Sequence, residues 1–283
     1  MSLTHSTSLN KLFSSCSFST HSADIESSED EDINGDELLS IVTSVRSMFP
    51  LSPMFALSPT SIQVTPLLPT QPAPLKEIYW TEPIATSFNV RGSKYTQDRI
   101  KVPSQPSLFR LFAVDLVRVK TPILKGMCRH PNERVQQCLK AEKTKKTGSA
   151  MPPFIFCVNI TIPGKPAHHL VMYYAVDDFS LIDPSATDNA MSDGPFRRLA
   201  SRFFFGDSDS FRDSTFKLIP RIVQGNFVVK KAVGSKPTIL GKKLKQHYIQ
   251  DDRFFELIVD VGSDKIAKKV VGLCTGYVSC STI

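Results

Sequence analysis

Apolar side chains along this chain recur at two spacings, and the change from one to the other marks its elements. At a period of two, Phe154, Phe156, Val158, Ile160 and Ile162 fall on one side of an extended run, while Ile155, Cys157, Asn159 and Thr161 fall on the other. A second such run covers 170–176, and Pro163-Gly164 opens the connection between the two. Both runs are apolar on both sides, which predicts central strands covered on each face. Residues 108–119 read as a further strand, with Phe109, Leu111 and Ala113 sharing a face. Helical spacing takes over in 131–142, opened by Pro131, and in 195–205, ended by Gly206, with a short helix or turn over 207–212. Four strand runs follow, at 216–223, 227–233, 239–249 and 254–261, joined by turns too short for anything but antiparallel pairing. Ser263 caps a last helix, Asp264 stands in its first turn, and Ile266, Val270, Leu273 and Tyr277 mark its buried side. The pattern predicts an α+β fold: a curved antiparallel sheet with inserted helices and a C-terminal helix packed on it, a helix-grip-like arrangement with room for an apolar ligand between the two.

The first 75 residues have a different texture. Ser, Thr and Pro dominate, and all eight of their acids lie between Asp24 and Glu37, which predicts a disordered acidic arm before a domain over 76–283. One stretch of the arm, 36–49, places Leu38, Ile41, Val42, Val45 and Phe49 on one helical face and ends at Pro50. It reads either as a docking helix for a protein partner or for the domain itself, or as a helix too short to persist alone.

Charge sharpens this division. The arm carries two basic and eight acidic residues, a net of −6, and the remainder carries 32 basic and 19 acidic, a net of +13. A body so basic calls for an anionic partner: a phospholipid surface, nucleic acid or its own arm. The cations with a pattern are those of the 239–249 strand, where Lys243 and Lys245 share the outward parity and Lys242 stands near the turn. Lys230 and Lys231 lie on the neighbouring strand run, and Lys265, Lys268 and Lys269 open the last helix. Together these eight lysines are the candidate anion- or lipid-binding residues; each one held near an anionic leaflet contributes roughly 1 kcal/mol. Their alternative role is to solubilise a sheet face and discourage edge pairing. Arg91 and Arg221 sit in apolar stretches and fit either a headgroup contact or a structural ion pair with an acid such as Asp115 or Asp260. Nucleic acid has only the charge in its favour, without finger spacing, aromatic RNA-binding motif or long basic helix.

Catalytic chemistry finds no constellation. His168 and His169 are adjacent in a strand, so their side chains diverge and cannot share a metal. Asp177, Asp178 and Asp183 follow that strand in a loop, and Asp183-Pro184-Ser185 reads as a turn. Cys157 stands in an apolar run that denies it a base and exposure. The six cysteines show no paired metal or disulfide spacing and read as reduced thiols of an intracellular protein. No apolar stretch reaches membrane-spanning length. The Ser/Thr-rich start resembles an organelle transit peptide in part but lacks its arginines. No cofactor fingerprint and no metal site is expected.

Several short stretches are similar, in order and spacing, to one known family. They begin with Trp80, Phe88-Asn89-Val90-Arg91-Gly92, Tyr95, Asp98 and Lys101-Val102-Pro103, and continue with Val114-Asp115-Leu116 and Phe156-Cys157-Val158-Asn159. The longest are Phe216-Lys217-Leu218-Ile219-Pro220-Arg221, Val229 to Gly234 and Ile239 to Leu244, before Val259 to Ser263 and Gly276-Tyr277-Val278 close the series. Over about residues 78–280 the chain resembles the C-terminal domain of the plant Enhanced Disease Resistance 2 proteins. In those proteins the domain follows a pleckstrin-homology domain and a START lipid-binding domain, for which this chain has no room; it also stops at Ile283, before an apolar segment that usually ends the family domain. The resemblance implies a regulatory role linked to lipids at a membrane periphery and no known catalytic chemistry. The expectation is a non-enzymatic module, cytoplasmic with peripheral membrane association, that binds lipid or an anionic membrane surface. The alternative is a protein-interaction scaffold regulated by the acidic arm.

Overall fold

The computed structural model describes residues 84–144, 151–185, 194–219 and 238–280, the side chains of 194–195 and 273–280 excepted. The arm with its 36–49 stretch, the 227–233 strand, the second half of the 216–223 strand, Lys230, Lys231 and Arg221 lie outside the described residues.

A small hairpin of β1 (Asn89–Arg91) and β2 (Lys101–Pro103), with the one-turn α1 (Tyr95–Asp98) between them, opens the described chain. The body is a five-stranded sheet made of β3 (Arg110–Val119), β4 (Phe154–Ile162), β5 (Ala167–Val176), β8 (Lys245–Gln250) and β9 (Phe254–Asp260), in the order β3-β5-β4-β9-β8. It is curved, unclosed and mostly antiparallel. β4 and β9 instead pair parallel, from Ile155 opposite Phe254 to Ile160 opposite Val259. The β8–β9 hairpin thus docks as a unit on β4, and α2 (Arg134–Thr144), α3 (Gly194–Phe205) and α4 (Asp209–Thr215) are the inserted helices. A two-stranded pair of β6 (Lys217–Leu218) and β7 (Thr238–Ile239) stands apart, and α5 (Lys265–Cys280) closes the described chain.

The double-sided burial of β4 follows its sequence, since all nine of its residues are buried. Phe154, Phe156, Val158, Ile160 and Ile162 meet Phe196, Ala200, Phe203 and Phe204 of α3, with Leu170, Met172, Tyr174, Phe255 and Leu257 from the flanking strands. This aromatic face is packed ring on ring, with Phe204 5.2 Å from Phe156, 5.4 Å from Phe255 and 5.8 Å from Phe154, all edge to face. Ile155, Cys157, Val171, Tyr173 and Phe254 lie on the opposite face with Met127, Cys128 and Val135.

β3 departs from strict alternation. Leu111 pairs with Tyr174 and Ala113 with Tyr173, which leaves Phe112 as an extra residue in a bulge. Phe109 and Leu111 therefore join the aromatic face, whereas Ala113 crosses to the other, against the expectation that the three share a side. The residues after the bulge keep the new parity, so Asp115 and Val117 point away from the aromatics.

Helix boundaries differ from the sequence pattern for identifiable reasons. α2 begins at Arg134, three residues after Pro131, because the Glu133 carboxylate accepts the Val135 N–H at 2.7 Å and takes the capping role. α4 is capped by Ser208, whose hydroxyl accepts the Phe211 N–H. Its Arg212 is buried, donates to the Phe203 and Gly206 carbonyls, and stacks over Tyr248 and Phe255. Gly241, in the turn before β8, lies against α4 so closely that a β-carbon there would stand 2.4 Å from Asp213 Cα. In α5 the cap is Asp264, which accepts the Ala267 N–H at 2.7 Å. Ser263 bridges strand ends instead, accepting from Lys245 N–H and donating to the Asp260 carbonyl. Ala267 and Val271 pack on the aromatic core, while Ile266 is 36% exposed and Val270 half-buried, so the helix is rotated from the predicted stripe.

Candidate functional site

Two groupings of polar residues stand out, one exposed and one sealed. The exposed one lies where β8 begins and β9 ends. Lys242 and Lys243 close the turn into β8, Lys245 pairs opposite Asp260, and the bond from Lys245 N–H to Ser263 holds that strand end against the start of α5. Lys265, Lys268 and Lys269 leave from the same corner, and all six lysines are exposed. The β6–β7 pair adds Lys217, which stands opposite Ile239, three residues before Lys242. Its ammonium pKa is lowered by burial first, then by the charges of Arg91 and Lys242. Lys217 is therefore near enough to Arg91 and to Lys242 for its charge to be repelled by each. Among the described residues none of the three forms an ion pair with an acid; Arg91 lies over the Tyr95 ring, 4.9 Å from its centre. Asp115 is not the partner of Arg91, because Arg134 holds it. Lys217 escaped the sequence reading although it carried the outward parity between Phe216 and Leu218, the one signal that could have found it.

The sealed grouping lies on the second face of the sheet, under residues 123–135. That segment is mostly irregular, so its backbone N–H groups need acceptors that a helix would supply internally. The sheet provides them. His169 Nε2 accepts the Ile123 N–H at 3.0 Å, and Glu256 Oε2 accepts the Cys128 N–H at 3.0 Å. Tyr173 donates its hydroxyl to Glu133 at 2.5 Å, and Arg134 makes a two-bond pair with Asp115 at 2.6 and 2.8 Å. The acceptors are themselves wired together. Asn159 Nδ2 donates to Glu256 at 2.8 Å, and its carbonyl oxygen faces His169 Nδ1 at 2.8 Å. Since Nε2 accepts, Nδ1 carries the proton, and the ring is neutral. Asp115, Glu133, Asn159, His169, Tyr173 and Glu256 are all without significant solvent contact.

Burial sets the electrostatics of this layer. It raises the Glu133 carboxyl to about 7, against the hydrogen bonds from Tyr173 and Val135, with Glu256 and Asp115 adding to the rise. Burial likewise raises Glu256 and pushes His169 down to about 4. Burial raises the thiols of Cys128 and Cys157, Cys157 to about 11, which makes them inert. His168 points the other way and is half-buried. The loop acids are occupied locally: Asp177 pairs with Arg110, Asp178 caps the turn at Phe179–Leu181, and Asp183 closes a turn onto Ser185. Sequence reasoning had singled out Asp115 and Asn159 but missed Glu133, Tyr173 and Glu256 as members of one layer. An acid at a core parity, as Glu256 is between Phe254 and Ile258, was the available signal.

Among the described residues no helix is long and apolar enough to cross a membrane. Residues 80–283 match the family model described as Protein ENHANCED DISEASE RESISTANCE 2, C-terminal. A relative from Arabidopsis thaliana, described as "Protein ENHANCED DISEASE RESISTANCE 2-like", is 31% identical over 200 residues. The aligned part is 71% of this chain and 24% of the relative, so the chain spans about a quarter of that protein's length. No solved structure matches.

Proposed function

The chain belongs to the Enhanced Disease Resistance 2 C-terminal family, and on that premise we propose that it is a non-enzymatic regulatory module that docks on an anionic phospholipid surface through the corner where β8, β9 and α5 meet. The observation that carries this reading is the gathering of exposed Lys242, Lys243 and Lys245 at the entry to β8, held by the Lys245 N–H bond to Ser263 against Lys265, Lys268 and Lys269 at the start of α5, with Lys217 near Lys242. Like charges held together cost free energy in isolation and are relieved by a polyanionic partner. With roughly 1 kcal/mol for each lysine near the leaflet, four or five engaged together give a weak, reversible and salt-sensitive attachment. The sealed layer on the other face supports a structural part rather than a reactive one: its acids, thiols and histidine are satisfied by one another and lack access to a substrate. The place of action on this reading is intracellular, at the membrane periphery.

Flotation of the full chain with phosphatidylserine vesicles tests it. Binding should appear at low salt, fall as salt rises, and drop strongly in Lys243→Glu/Lys245→Glu and Lys217→Glu/Lys242→Glu. Binding that ignores both salt and these substitutions, or no binding to any anionic vesicle, rejects the reading.

A further inference from the structure

The rotation of α5 leaves something unabsorbed by the membrane reading. Ala267 and Val271 face the core, which turns Ile266 and Val270 to the flank of the helix. Ile266 is exposed, and Lys269 lies about 60° around the axis from it with Lys265 beyond, so the apolar flank is edged by cations. A strip of this kind is complementary to a segment that pairs apolar side chains with a dense run of acids.

The chain contains one. All eight acids of residues 1–75 fall within 24–37, and the apolar positions Leu38, Ile41, Val42, Val45 and Phe49 follow at helical spacing directly after them. We infer that residues 24–49 dock in cis on the outer flank of α5, the apolar positions against Ile266 and Val270 and the acids against Lys265, Lys268 and Lys269. Opposed net charges, −6 for the first 75 residues and +13 for the rest, favour this occupant over a neutral or basic one.

The connecting chain permits it. Residues 50–83, if fully extended, could span up to roughly 110 Å. A body of this size has a radius of gyration of about 16 Å, so the arm reaches α5 wherever the tether leaves. At an effective concentration of ~1 mM, a segment with an intrinsic dissociation constant of ~0.1 mM is docked about nine-tenths of the time. The docked arm would cover part of the lysine corner, so it competes with an anionic surface for the same cations. The inference shares those lysines with the proposed function but does not require that membranes be the partner.

Hydrogen exchange on the full chain tests it. Backbone amides of 265–272 should exchange about tenfold faster in an arm variant, Leu38→Ser/Ile41→Ser/Val45→Ser, than in the parent at low salt. A charge variant, Glu29→Gln/Asp30→Asn/Glu31→Gln/Asp32→Asn, should act in the same direction by a smaller factor. Carbodiimide coupling should join acids of 24–37 to Lys265, Lys268 or Lys269 within monomers. Equal exchange in parent and arm variants, couplings scattered over all lysines, or couplings found only between two copies overturn the docking. Vesicle flotation of the same variants separates the two ideas. An arm variant with faster exchange in α5 and no vesicle binding leaves the docking standing and removes the membrane reading. Unchanged exchange with strong vesicle binding does the reverse.

Discussion

On one face of the sheet Phe203, Phe204 and Phe255 fill the space under α3 with ring against ring. On the other, Asp115, His169, Tyr173 and Glu256 reach up to a stretch of chain that is mostly not helical, with Asn159 joining His169 to Glu256 beneath it. The difference follows from what lies on each face. A helix satisfies its own backbone, so the sheet beneath it need offer only apolar surface and shape. An irregular segment arrives with unpaired N–H groups, and a sheet that buries it must supply acceptors. The first face is held by area and fit, the second by directed bonds that tolerate no missing partner.

Truncation should expose that contrast most plainly. Phe204→Ala removes a ring that touches Phe109, Phe154, Phe156, Phe203 and Phe255, and a loss of ~3–5 kcal/mol is expected from urea unfolding. Phe204→Leu should recover a large part of it, because the aromatic face asks for volume and not for a particular bond. Recovery as poor as in the alanine variant would show that ring geometry itself is the stabilising feature.

The polar face should behave in the opposite sense. Asp115→Ala leaves the buried Arg134 guanidinium without its carboxylate, with an expected cost of ~3 kcal/mol or more. Removing both partners, in Asp115→Leu/Arg134→Met, should cost less than the single change. A double variant that costs the sum of the two single ones would mean that the pair contributes as separate contacts, and the distinction between the faces would fail.

Acidity offers a subtler break. Glu133 titrates at about 7 in the folded chain against 4.5 unfolded, so its contribution is fully present below 4.5 and is lost as pH rises through 7. His169 titrates at about 4 against 6.5, so its contribution is present above 6.5 and is lost as pH falls through 4. Glu256 is displaced in the same direction as Glu133, and His168 in the same direction as His169. Between about 4.5 and 6.5 the Glu133 and His169 slopes have opposite signs and similar size. Glu133→Gln should therefore uncover a loss of stability as pH drops from 6.5 to 4, and His169→Gln a loss as pH climbs from 4.5 to 7, each up to ~3 kcal/mol. Chemical denaturation at four or five pH values reads both. Parallel curves for the two variants would show that the two groups do not oppose each other.

The two faces were unequally legible in the sequence. Period-two alternation in β4 gave both of its sides, because a strand buried on each face has nowhere else to put its side chains. The bulge at Phe112 was invisible, since one inserted residue changes the parity of β3 without any mark in composition. The parallel docking of β9 on β4 is set by which edge the hairpin meets, and turn lengths carry nothing about that. Of the polar layer, Glu256 and Asp115 were readable as acids at core parity, but their partners Cys128 and Arg134 lie 128 and 19 residues away in the chain. At the lysine corner the outward parity of Lys245 was plain, whereas Lys243 lies not in a strand but after the turn at Leu240–Lys242 that interrupts the predicted 239–249 strand. The approach of Arg91 and Lys217 was not plain, because it depends on where the β1–β2 and β6–β7 pairs settle.

The smallest effect concerns the entry to α5, where the sequence offered Ser263 as cap and the structure uses Asp264. The two residues do different work. Asp264 takes the Ala267 N–H, one of the donors that the first turn of a helix leaves unpaired, and its charge also meets the positive end of the helix. Ser263 joins Lys245 N–H to the Asp260 carbonyl across the ends of β8 and β9. Asp264→Ala should cost about 1 kcal/mol and speed exchange within the first turn of α5. Ser263→Ala should cost a similar or smaller amount and speed exchange at Lys245 instead. If Ser263→Ala loosened the helix while Asp264→Ala left it unchanged, the cap would belong to the serine. The helix would then begin one residue earlier than the Asp264 bond places it.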